Sequence, residues 1–85
     1  MLQKIYTVYD SKVETYLSPF ISSHKGQALR DFERVANDSQ TTVGQYPADF
    51  TLFEIGEFDT VTGKIHHYEA KQSLGIAIEF VKSKN

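Results

Sequence analysis

The chain contains no cysteine, which excludes disulfides, thiolate metal sites and cysteine nucleophiles together and suits a reducing cytoplasm. Long apolar runs are missing too. None approaches the ~20 residues of a membrane span, and the opening "MLQKIYTVYD" lacks the apolar core of a signal peptide. A soluble, unprocessed chain without membrane association is expected. Proline is scarce, at Pro19 and Pro47, and repeats and low-complexity tracts are lacking. No large charge excess exists either. Nine basic and eleven acidic residues give a net charge of −2, which argues against a generally electropositive nucleic-acid binder. The 85 residues form one small domain, 1–85, whose modest core would gain from a partner subunit.

What is there is mostly β-forming. "LQKIYTVYD" carries apolar groups on both faces, Ile5 and Tyr9 on one and Tyr6 and Val8 on the other, as an interior strand does. "TYLSPFIS" is a second extended segment. Its Pro19 cannot donate to a ladder, which places it at an edge or a bulge and leaves a pairing surface there. After Ser23, a suitable N-cap, "HKGQALRDFERVAND" turns helical, gathering Ala28, Leu29, Phe32, Val35 and Ala36 into one arc. "SQTTVGQYPADF" has the composition of a connecting loop. A hairpin follows, with a turn at "DTVTG" in which Gly63 supplies a positive φ and a return strand "KIHHY". "LGIAIEFV" alternates with period two, Leu74, Ile76, Ile78 and Phe80 on one face, and reads as a fifth strand.

Within "FTLFEIGEFDTVTGKI", unbroken alternation would bury a carboxylate on either face. An extra bulge residue supplied by Gly56 shifts the phase, so that Phe53, Ile55 and Phe58 share one face and Glu54, Glu57 and Asp59 the other, solvated one. A strand ending at Ile55 is the plainer alternative.

Catalytic chemistry is sparse. His66 and His67 are neighbours on a strand and point to opposite faces, so they do not converge on a metal. No nucleophile elbow or glycine-rich phosphate loop surrounds His24, Ser22 and Ser23. Neither enzymatic activity nor a metal or other cofactor is expected. The distribution of charge is more informative than its sum. Residues 60–85 hold four lysines against Glu69 and Glu79, together with His66 and His67. Five tyrosines and six phenylalanines are many for this length, and most should fill the core. Tyr68 is the exception, because Lys64, His66 and Tyr68 share a strand face by their spacing of two, with Lys71 nearby. A ring beside cations can stack a base and hold a phosphate.

"IYTVYDSKVETYLSPF", "GQALRDFERVAND" and "PADFTLFEIGEFDTVTGKI" carry a resemblance over residues 4–80. They look like the small nonstructural protein of gokushoviruses, single-stranded DNA bacteriophages of the family Microviridae. The resemblance implies a protein of the host bacterial cytoplasm, absent from the mature virion, that assists genome replication or packaging. It carries over no catalytic residues. The expected fold is α+β, a mainly antiparallel sheet of four to five strands with one helix packed across it. Two functions compete. In the first, a homo-oligomer, dimer first, binds single-stranded DNA through Lys64, His66, Tyr68, Lys71, Arg30 and Arg34. In the second, an interaction module recruits or inhibits a host or viral replication protein through the edge at Pro19 or through Glu54, Glu57 and Asp59. The net negative charge favours the second.

Overall fold

The computed structural model describes residues 1–82; Lys84, one of the four lysines of the C-terminal third, lies outside them. β1 (Leu2–Asp10) is the central strand, paired antiparallel with β4 (Phe50–Asp59) on one side and with β2 (Thr15–Tyr16) and β3 (Phe20–Ser22) on the other. β5 (Ile65–Ile76) pairs antiparallel with β4 and forms the far edge. The result is the expected α+β fold, a five-stranded antiparallel sheet with one main helix. Among the described residues no helix is long and apolar enough to cross a membrane.

Strand alternation divides the sheet into two faces. Tyr6, Val8, Phe50 and Leu52 point to one face, where they form the core with Ala28, Phe32 and Ala36 of α1 (Lys25–Ala36). Leu29 and Val35 pack at its margin, so the helical arc read from the sequence is the one that is covered. The opposite face, with Tyr9 and Phe53, carries no helix among the described residues. The N-cap differs from expectation. His24, not Ser23, takes that position and makes no side-chain cap bond, while the Ser22 hydroxyl donates to the His24 carbonyl.

The expected loop after the helix is more ordered in plan. Thr41 caps a short helix α2 (Thr42–Gln45), accepting the Gly44 N–H at 2.9 Å. Its Val43 is buried in the same core, and a 3₁₀ turn (Pro47–Asp49) leads into β4. One buried valine in a polar stretch is too weak a periodic signal to read.

The second extended segment splits at Leu17–Pro19 into β2 and β3, in keeping with the missing donor of Pro19. The last predicted strand is corrected. β5 already runs from Ile65 to Ile76, uniting "KIHHY" with "LGI", and the chain then tightens into a 3₁₀ turn (Ala77–Phe80). Gly75 takes a φ of 132° that favours glycine, and the Glu79 carboxylate accepts the Ile76 N–H at 2.7 Å. These two features end the strand. Asn37 then fastens the turn to the helix end, donating to the Phe80 carbonyl at 3.0 Å and accepting the Lys82 N–H at 2.8 Å.

The bulge in β4 is present, but the role expected of Gly56 is not. Tyr6 pairs with Glu54 and Ile5 with Gly56, so Ile55 is the extra residue. Gly56 is not among the positive-φ glycines, Gly63 and Gly75. Its reason is close approach: a Cβ there would lie 2.5 Å from the His66 carbonyl oxygen and 3.1 Å from the His67 Cα of β5. The phase shift itself has the predicted effect, bringing Glu54 and Glu57 to one face.

Candidate nucleic-acid interface

That shared acidic face is not simply solvated. Register places Lys4 opposite Glu57 and Tyr6 opposite Glu54, on the side of the sheet that α1 covers. Glu54 is only 4% exposed. A buried carboxylate needs partners, and two are at hand: the Tyr68 hydroxyl donates to its Oε2 at 2.6 Å, and Lys4 Nζ lies 4.0 Å away. Lys4 also forms a 2.6 Å ion pair with Glu57. The hydrogen bond to Glu57 holds the Lys4 ammonium well above its ordinary lysine value. Burial, reinforced by the hydrogen bond to Glu54, pushes the Tyr68 phenol up. Burial and the Glu54 charge do the same to Tyr6, whose hydroxyl has no hydrogen-bond partner among the described residues.

The fold divides the residues singled out for DNA binding, with Tyr68 and Lys71 on one groove, Arg30 and Arg34 on another, and Lys64 and His66 on the hairpin. His66 pairs with Glu57 across β4–β5, and Lys64 precedes the strand on the exposed hairpin. Among the described residues neither side chain makes a hydrogen bond or ion pair. Tyr68 stands where the β4–β5 ladder breaks, since pairing jumps from Gly56↔His67 to Glu54↔Gln72. Its hydroxyl is committed to Glu54. Arg30 and Arg34 lie on the outer side of α1 and line an open depression of about 700 Å³ with Glu33, Asp38 and Lys82. Arg34 forms an exposed ion pair with Asp31, 3.3 Å away, and the acidic neighbours dilute the positive charge.

Lys71 has a different setting. Released by the ladder break, it reaches over the helix-free face and places its Nζ 5.5 Å from the centroid of the Tyr16 ring, within cation–π range. Tyr16 in turn contacts Tyr9, with centroids 4.7 Å apart, and Phe53, 6.3 Å apart in an edge-on arrangement. Three aromatic rings on β2, β1 and β4 thus cluster, with one ammonium over the Tyr16 ring. Tyr16 is 48% exposed. A shallow groove of about 330 Å³ runs beside it, lined by Thr7, Leu17, Pro19, Ile55, Tyr68 and Lys71, so two of the residues singled out from the sequence, Tyr68 and Lys71, meet there.

A family model described as Phage ORF5 protein matches residues 3–80. The chain belongs to that bacteriophage protein family. No curated protein and no solved structure matches it.

In this phage ORF5 chain, sequence reading missed Tyr9, Tyr16 and Phe53 as a group. Tyr9 pairs with Tyr16 and, across β1, Thr7 pairs with Phe53, so only the register of three strands assembles the rings. The available signal was the alternation of Ile5, Thr7 and Tyr9 away from the core-facing Tyr6 and Val8. Among the described residues no group of histidines and carboxylates has the geometry to hold a metal ion.

The Lys4–Glu54–Tyr68 cluster yields a stability prediction. Tyr68→Phe removes a hydrogen bond to a buried carboxylate and should lower unfolding free energy by about 1.5 kcal/mol, read by urea denaturation. The pH dependence has a definite sign. Tyr6, Tyr68 and Lys4 all have folded pKa values above their unfolded ones, so their contribution is complete below pH ~10 and is lost as pH rises through the folded values. Wild-type stability should fall above pH ~10, and less steeply in Tyr68→Phe. An equally steep fall in the variant would detach Tyr68 from this linkage.

Proposed function

We propose that this phage ORF5 protein is a non-enzymatic accessory factor of a gokushovirus-type phage of the Microviridae. In this reading it works without a cofactor, as a homo-oligomer in the host bacterial cytoplasm, and is left out of the mature virion. It holds single-stranded DNA during genome synthesis or packaging. The observation that carries the reading is the helix-free face, where Tyr16, flanked by Tyr9 and Phe53, lies under Lys71. Every base has a π-face, so rings beside a cation hold a single strand with little sequence preference. Lys71, with Lys64 and His66 on the hairpin, steers the phosphates, and Arg30 and Arg34 form a second, weaker contact zone on the helix side. Tyr68 contributes by fastening the β4–β5 ladder through Glu54 rather than by stacking.

The test is retention of labelled single strands at two salt concentrations. Affinity should fall with salt, and Lys71→Gln should reduce the slope of log affinity against log salt by roughly 0.7. Tyr16→Ala should weaken binding by about 1–3 kcal/mol with the slope nearly unchanged. Tyr68→Ala should act on stability first. If micromolar protein retains no single-stranded DNA at ~50 mM salt, where electrostatic contacts are strongest, the DNA reading is wrong. Recruitment or inhibition of a host or viral replication protein then takes its place, through the uncharged edge around Pro19.

A further inference from the structure

The two edges of the sheet are protected very differently. Along β5 the chain carries His66, His67, Glu69 and Lys71, and its ladder breaks between His67 and Gln72. Charge and irregularity of this kind discourage pairing with another strand. The opposite edge has neither charge nor cover. From Thr15 to Ser23 there is not one charged residue, and β3 has β1 as its partner on one side and no strand on the other among the described residues. Leu17 and Ile21 stand 44% and 50% exposed on it. A mainly apolar groove of about 290 Å³, lined by Val8, Leu17, Phe20, Phe32, Val35 and Val43 together with the mutually paired Asp31 and Arg34, opens beside the same edge on the helix side.

We infer that the β2–β3 edge is the docking surface for a second copy of this chain, with β3 paired antiparallel to its counterpart about a two-fold axis at Ile21. It rests on the homo-oligomeric reading above and names its interface. The occupant follows from charge. A neutral edge brings no like-charge repulsion when it meets itself, and it offers no complement to a charged partner. Antiparallel pairing of identical strands satisfies both sets of free backbone groups at once and closes on itself, so the assembly stops at two. Pairing covers Leu17 and Ile21 and joins the two helix-free faces across the seam. The Tyr16 and Lys71 sets of both copies then line one surface, long enough for a strand to run from one to the other.

Light scattering on the 85-residue chain tests this. Wild type at high micromolar concentration should have twice the mass of the 9.7 kDa chain. Ile21→Lys, at a half-exposed position outside the core, should be a folded monomer by circular dichroism, with the dimer dissociation constant raised about 100-fold. Leu17→Lys serves as a second variant should Ile21→Lys not fold. Ile78→Lys, at an exposed apolar position on the C-terminal turn, should leave the dimer intact. A wild-type monomer overturns the homo-oligomeric reading and the interface together. A dimer that persists in a folded Ile21→Lys or Leu17→Lys, or that dissociates in Ile78→Lys, overturns the interface alone.

Discussion

Gly56→Val should be among the most damaging single changes in this domain, lowering unfolding free energy by about 3 kcal/mol or more. The cause is the backbone of β5. A Cβ at Gly56 would stand 2.5 Å from the His66 carbonyl oxygen, and that oxygen belongs to the main chain rather than to a side chain able to swing aside. Relief requires β5 to move away from β4, which breaks the Gly56↔His67 and Glu57↔His66 pairs. The Tyr68–Glu54 hydrogen bond lies next to these pairs and should be lost with them. A loss of this size is a large share of the ~5–15 kcal/mol typical of a domain. Urea denaturation, with the Tyr68 environment followed by fluorescence, reads both effects. Melting like wild type would mean that β4 and β5 do not approach this closely.

Phe32→Ala should cost about 3–5 kcal/mol, the range for deleting a buried aromatic side chain. Phe32 is the largest residue that α1 sends into the core, where it joins Tyr6, Val8, Val43 and Leu52 and meets Phe80 edge-on at 5.6 Å. Removing the ring leaves a void between helix and sheet and also takes away one of the contacts that hold the C-terminal 3₁₀ turn. The buried Ala77 and the Asn37 hydrogen bonds remain. Loss of near-ultraviolet circular dichroism together with a lowered urea midpoint is the expected signature. Phe32→Leu, which keeps most of the volume, should be much milder, by roughly the difference of a few methylene groups. Equal effects from the two variants would point to a role for the ring other than filling space.

Much of the fold was legible because it is local. The helical arc of Ala28, Leu29, Phe32, Val35 and Ala36, the interior character of β1 and the hairpin turn at Gly63 each follow from side-chain periodicity or from one residue's backbone preference. The bulge also left a trace. An uninterrupted strand would have set Glu54 and Glu57 on opposite faces, and the slip at Ile55 brings both to Lys4. Its cause was not legible, because nothing in "EIGEF" tells that His66 lies against Gly56. The end of β5 was misjudged for a related reason. Leu74, Ile76, Ile78 and Phe80 alternate as a strand should, yet the Glu79 carboxylate and the φ of Gly75 close the chain into a turn.

By itself the sequence determined the class of this protein: an α+β domain without thiols, with one amphipathic helix, one uninterrupted central strand, an edge weakened by Pro19 and a bulged hairpin, in a chain belonging to a phage family. The tertiary structure alone decided which side chains act together. Tyr68, chosen from its neighbours in sequence, is held by Glu54 from the neighbouring strand. Tyr16, at the end of a two-residue strand, gains its place beside Tyr9, Phe53 and Lys71 from three different strands. The physical reason is range: backbone preference and periodicity act over a few residues, whereas register, strand separation and the partner of a buried carboxylate are set only when segments distant in sequence pack together.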